Sequence, residues 1–80
     1  MSVEYRQSGI RDVTFQGAAT VVQPVNLYGC TIGAGCFIGP FVEIQRGVQI
    51  GQNTRIQSHS FICELVEIGD QSTIAHGVMF

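Results

Sequence analysis

Isoleucine falls on every sixth residue at positions 32, 38, 44, 50, 56, 62, 68 and 74, and Phe80 takes the next beat. Only one other isoleucine, Ile10, occurs in the chain. An amphipathic helix cannot use this spacing, because its buried face needs apolar residues at i, i+3, i+4 and i+7. Two positions before each beat stands a small or β-branched residue: Cys30, Cys36, Val42, Val48, Thr54, Ser60, Val66, Ser72 and Val78. Positions i−2 and i share a parity, so on a short strand both side chains point to the same side. Glycine follows the beat at 33, 39, 51 and 69, and alanine at 75, which places the tight corner that ends each strand there. A short strand and a corner, repeated without helices, predicts parallel strands coiled and stacked along an axis.

The unit "CTIGAGCFIGPFVEIQRGVQIG" and its continuation through Phe80 closely resemble the hexapeptide-repeat acyltransferase family, without a gap over residues 30–80. The resemblance implies an all-β, left-handed parallel β-helix with three hexapeptides to each triangular turn. Its hand comes from the resemblance and runs against the usual right-handed crossover. The pairing extends backwards through Val25/Leu27, Ala19/Val21 and Val13/Phe15 with one slip, since the step from Leu27 to Ile32 is one short of a full hexapeptide. Twelve rungs, or about four turns, are therefore expected over residues 12–80, preceded by a lead-in segment at 1–11. The coil is expected to be incomplete at its C-terminal end, as the N-terminal part of a longer transferase.

With three hexapeptides to a turn, the interior columns read Ile32/Ile50/Ile68, Ile38/Ile56/Ile74 and Ile44/Ile62/Phe80. The outward positions, i−3 and i−1, make three unlike faces. One is mostly polar, with Phe37, Asn53, Arg55, Gln71 and Thr73, and a second is mixed, with Thr31, Gln49, Leu65 and Glu67. On the third, Phe41, Phe61 and Met79 form an apolar patch beside Glu43 and His59. Exposed apolar patches mark interfaces, so Phe41, Glu43, Phe61 and Met79 are assigned to a subunit contact. The resemblance agrees, implying a homotrimer with active sites in the grooves between subunits.

Composition narrows the chemistry. Charged residues are 12% of the chain, lysine is absent and the net charge is −2. Nucleic-acid binding needs clustered Lys and Arg, so it is excluded as an expectation, and so is a polybasic membrane-surface segment. No apolar run is long enough to span a bilayer. Three cysteines without a CxxC pair or zinc-ligand spacing fit a reduced, cytoplasmic setting. Cys30 and Cys36 fall in inward slots and Cys63 at a corner.

His59 and His76 are the acid–base candidates near neutral pH. His59 is expected to point outward on the apolar face, near Ser58, Ser60 and Glu43. His76 is expected at a corner, and its distance from His59 along the chain, one position short of a full turn, keeps the two from stacking. The segment "FICELVEIGDQSTIAHGVMF" resembles the approach to the active-site loop of sugar N- or O-acetyltransferases. That resemblance implies transfer of an acetyl or similar group from acetyl-CoA, or another acyl-CoA, to a nucleotide-linked sugar. His59 or His76 would then serve as the base. The competing reading is a non-catalytic β-helical assembly module. A lesser one is a metal site like that of the gamma-class carbonic anhydrases, which the two histidines in different slots fit poorly.

Overall fold

The computed structural model describes residues 9–80. Twelve short strands follow in order: β1 (Gly9–Arg11), β2 (Thr14–Phe15), β3 (Thr20–Val21), β4 (Val25–Tyr28), β5 (Thr31–Ile32) and β6 (Phe37–Ile38). They continue as β7 (Val42–Ile44), β8 (Gln49–Ile50), β9 (Arg55–Ile56), β10 (Phe61–Ile62), β11 (Glu67–Ile68) and β12 (Thr73–Ile74). Every third strand joins the same sheet, which gives three four-stranded parallel sheets, β1-β4-β7-β10, β2-β5-β8-β11 and β3-β6-β9-β12. This is the left-handed parallel β-helix of about four turns that the resemblance implied. Among the described residues there is no helix, and so none long and apolar enough to cross a membrane.

The isoleucine columns form as expected, with Ile32 paired to Ile50, Ile50 to Ile68, Ile38 to Ile56, Ile56 to Ile74 and Ile44 to Ile62. Ile32, Ile38, Ile44, Ile56 and Ile62 have no exposed surface. Phe80 departs from this pattern. It lies 48% exposed at the last rung, where pairing shrinks to a single bridge between Phe61 and Met79.

The N-terminal slip is also present. Phe15 pairs with Ile32, Val21 with Ile38 and Leu27 with Ile44, each one position short of the spacing that separates Ile32 from its partner Ile50. Ile10 pairs with Leu27 at the same shorter spacing. Residues 9–11, assigned from sequence to the lead-in, thus add a rung, while the rest of that segment lies outside the described residues.

The corners differ from expectation. The glycines after the isoleucine do not take the left-handed backbone. The residue three before the beat does, at Asp12, Gly29, Gly35, Phe41, Gly47, Asn53, His59, Leu65, Gln71 and Gly77, with φ between 54° and 78°. From Gly29 onwards these residues donate their N–H to the preceding turn, for example His59 to the Pro40 carbonyl at 3.2 Å and Asn53 to that of Ala34 at 2.8 Å. Gly33 is required for another reason. A Cβ there would stand 2.6 Å from the Gln52 nitrogen and 2.7 Å from the Gly51 carbonyl carbon, in the next turn. Glycine after the beat serves close stacking of backbones.

The small side chains two positions before the beat have a second task. Thr54 Oγ1 donates to the Gly69 carbonyl at 2.8 Å, Ser60 Oγ to that of Ala75 at 3.0 Å, and the Cys36 thiol to that of Gly51 at 3.0 Å. Each satisfies a corner carbonyl from inside the coil, and no buried side-chain nitrogen or oxygen among the described residues lacks a partner. An unpaired buried acceptor costs roughly 1–3 kcal/mol.

Two substitutions test these roles by urea unfolding. Ile56→Ala should cost roughly 2–5 kcal/mol, as a cavity in a column that cannot collapse. Gly33→Ala should cost roughly 1–3 kcal/mol by forcing two turns apart, although it removes no contact.

Candidate functional site

The candidate residues gather around the corner that joins the third sheet to the first. Stacking fixes their order. Residue 76 lies over residue 58 and residue 77 over residue 59, because Ile74 pairs with Ile56 and the Gly77 N–H donates to the Ser58 carbonyl at 3.1 Å.

His59 occupies the left-handed corner position, with φ of 62°, and not a flat face as its parity suggested. Phe41 holds the same slot one turn earlier, with φ of 58°. A left-handed φ is uncommon for a bulky residue, and glycine fills this slot at 29, 35, 47 and 77. Here the shared backbone aligns the two rings. Phe41 and His59 stack with centroids 5.0 Å apart and planes 20° from parallel, the offset geometry that aromatic pairs favour.

Beside this stack, Pro24, Asn26, Glu43, Ser60 and Phe61 complete an open groove of about 470 Å3. Phe41 is 58% and Met79 77% exposed, while Phe61 is half-buried. The apolar patch is therefore present on the first sheet and its corner. It is not the sole exposed apolar surface, since Leu65 on another corner is 76% exposed.

Glu43 is not paired with His59. Its carboxylate accepts from Asn26 Nδ2 at 3.2 Å, Tyr28 Oη at 3.2 Å and Gln45 Nε2 at 3.0 Å, and Arg11 in turn donates to Asn26 Oδ1 at 3.1 Å. Strands β1, β4 and β7 set these residues side by side on the outer face, through the register Arg11–Tyr28 and Asn26–Glu43. Partial burial and the Glu43 charge raise the Tyr28 phenol above its ordinary value. Glu43 thus anchors a polar network along the edge of the groove.

Ser60, the other expected neighbour of His59, turns inward to the Ala75 carbonyl and is 2% exposed. Ser58 goes elsewhere too, its Oγ lying 2.9 Å from Nδ1 of His76. The expectation that His59 and His76 do not stack on each other holds, and it hid this pair. Ser58 and His76 are separated by one full turn, which the period alone makes neighbours. Among the described residues, no three of the His, Cys, Asp and Glu side chains converge in a way that could hold a metal ion.

Residues 29–64 match the family described as "Bacterial transferase hexapeptide (six repeats)". The stretch that matches carries the repeat named in that description. Two curated proteins are similar to the chain. A UDP-3-O-acylglucosamine N-acyltransferase from Polynucleobacter asymbioticus is 37% identical over 71% of this chain and 15% of its own length. The bifunctional protein GlmU from a Jannaschia species is 36% identical over 56% of this chain and 10% of its own. The chain thus spans a small part of the length of both relatives. No solved structure matches it.

The cysteines of this hexapeptide coil are separated by burial. Cys30 is 2% exposed, and burial pushes its thiol up to about 11 from an ordinary value of 9.0. Only the thiolate alkylates readily, so at pH 8 the half-buried Cys63 should react with iodoacetamide before Cys30. The raised value also has a sign. The neutral Cys30 thiol supports the fold below pH 9.0, and that support should be lost as pH rises through about 11. Urea titrations across this range should show a shallower alkaline decline in Cys30→Ala, and an unchanged decline would contradict the assignment.

Proposed function

We propose that this coil is part of an acyltransferase that moves an acetyl or similar acyl group from coenzyme A to a nucleotide-linked sugar. The Ser58–His76 pair carries the reading, since it holds an imidazole fixed through one nitrogen one slot away from His59, which lines an apolar, aromatic groove. The similarity to a protein named UDP-3-O-acylglucosamine N-acyltransferase supports the acceptor class.

In this reading an amine or hydroxyl of the sugar attacks the thioester carbonyl while His76 takes its proton. The new C–N or C–O bond forms and the C–S bond breaks. The proton then leaves with the coenzyme A thiol. An imidazole suits the task because its ordinary pKa lies near neutrality. His59 and Phe41 supply a flat surface against which a sugar ring packs. Backbone N–H groups of the groove wall steady the tetrahedral oxyanion.

Phe41, Phe61 and Met79, with Glu43 and its network at the edge, form the contact of a homotrimer whose neighbouring copy closes the groove. The supply of acyl-CoA puts the protein in the cytoplasm.

In the protein at its full natural length, His76→Ala should lower kcat roughly 10²–10⁴-fold with thermal unfolding unchanged. His59→Ala should act mainly on acceptor KM. If both variants keep full turnover, the coil is an assembly module and this reading falls. The interface has its own check by light scattering. Asn tolerates the left-handed backbone at position 41, so Phe41→Asn should convert the trimer to monomer without unfolding the coil. A Phe41→Asn protein that stays trimeric would move the contact to another face.

A further inference from the structure

An imidazole has two nitrogens, and the fold engages one of them. His76 Nδ1 lies 2.9 Å from Ser58 Oγ, and this geometry alone leaves open which atom carries the hydrogen. Both residues occupy one corner slot in successive turns, and their backbones are held there by the Ile56–Ile74 register and the Gly77-to-Ser58 hydrogen bond. Ser58 is half-buried and His76 is exposed, so the hydroxyl sits beneath the ring and the remainder of the imidazole faces outward.

We infer that Ser58 is a positioning residue that holds His76 as the Nδ1–H tautomer, with Nε2 as the nitrogen that takes the proton. A hydroxyl both donates and accepts, so it can receive the Nδ1–H. The opposite arrangement would put the hydrogen on Nε2 and leave the outward nitrogen without a lone pair. When Nε2 gains a proton, Nδ1–H remains a donor to Ser58 Oγ, and the bond to a now charged ring becomes stronger. A serine also keeps this role at any pH where the protein is folded, because it does not titrate. Among the described residues, no carboxylate hydrogen-bonds to His76 in its place. Glu43 is filled by Asn26, Tyr28 and Gln45, and Asp70 Oδ1 accepts from the Gln52 N–H at 2.9 Å.

Both the tautomer and the reacting nitrogen rest on the acyl-transfer reading, which needs a lone pair on the outward Nε2, but the two are measured separately. The test therefore has two arms, both on the protein at full natural length. Ring nitrogen shifts of 15N-labelled His76, recorded with the imidazole neutral, report the tautomer directly. The expected result is a protonated Nδ1 and an unprotonated Nε2 in the native protein, with both nitrogens moving to averaged shifts in Ser58→Ala. A protonated Nε2 in the native protein, or no change in Ser58→Ala, overturns the proposal.

In the kinetic arm, Ser58→Ala should lower kcat about tenfold, the equivalent of one lost hydrogen bond. Ser58→Thr should restore it, and the KM for acyl-CoA should stay put. Loss of kcat that Ser58→Thr fails to restore would count against a hydroxyl partner. If the tautomer is as expected but His76→Ala leaves turnover intact, the function reading fails and the Ser58–His76 assignment stands.

Discussion

Every feature of this molecule depends on one requirement: successive turns must lie on each other with their backbones in register. Parallel strands this short have little stability of their own. They gain it because each turn donates to and accepts from its neighbours all the way round the triangle. The isoleucine columns then become continuous, with Ile50 and Ile56 each packed between isoleucines of the turns on either side. Residues that interrupt this contact are excluded, which is why glycine stands at position 33, where the next turn leaves no room for a Cβ.

The same requirement dictates the site. Stacking imposes a left-handed backbone on ten corner residues, and most of them are not glycine. At two of those corners the imposed geometry stacks Phe41 against His59. One slot away it sets a serine hydroxyl under an imidazole. No loop or helix is needed to position these groups, because the coil delivers them at fixed height and direction. Sites carried on rigid elements hold their geometry better than sites on loops.

The isoleucines, and the small side chains two positions before them, made the three sheets legible, since period and parity are read directly from the chain. The corners were not legible in the same way. Asp, Phe, Asn, His, Leu and Gln share no chemistry that marks them as left-handed, and their backbone is imposed by the turns on either side. Ile10 was readable in principle, standing before Phe15 by the same shortened step that separates Leu27 from Ile32, but two slips close together mimic an irregular lead-in. The histidines were visible and their partners were not. Nearness along the chain and across the face set Ser60 and Glu43 beside His59, whereas Ser60 turns to a carbonyl inside the coil, as its parity requires, and Glu43 is taken by its own sheet. The whole-turn spacing of Ser58 and His76 was plain, but it carries meaning only when a hydroxyl and an imidazole are asked to be partners.

The pairing of residues one full turn apart has a bearing on how such a chain can change in length. Ser58 and His76 touch because the polypeptide between them closes one circuit of the triangle. Duplication or loss of a whole circuit between other turns would carry the pair along intact, moving it up or down the axis like a bead on a rod. A gain or loss of any other size within that circuit would turn His76 toward a different side, unless a corner absorbed the difference as the shortened turns near the N-terminus do. Inherited change in this architecture is therefore quantised, with the circuit as its unit and the corners as the places where exceptions are tolerated.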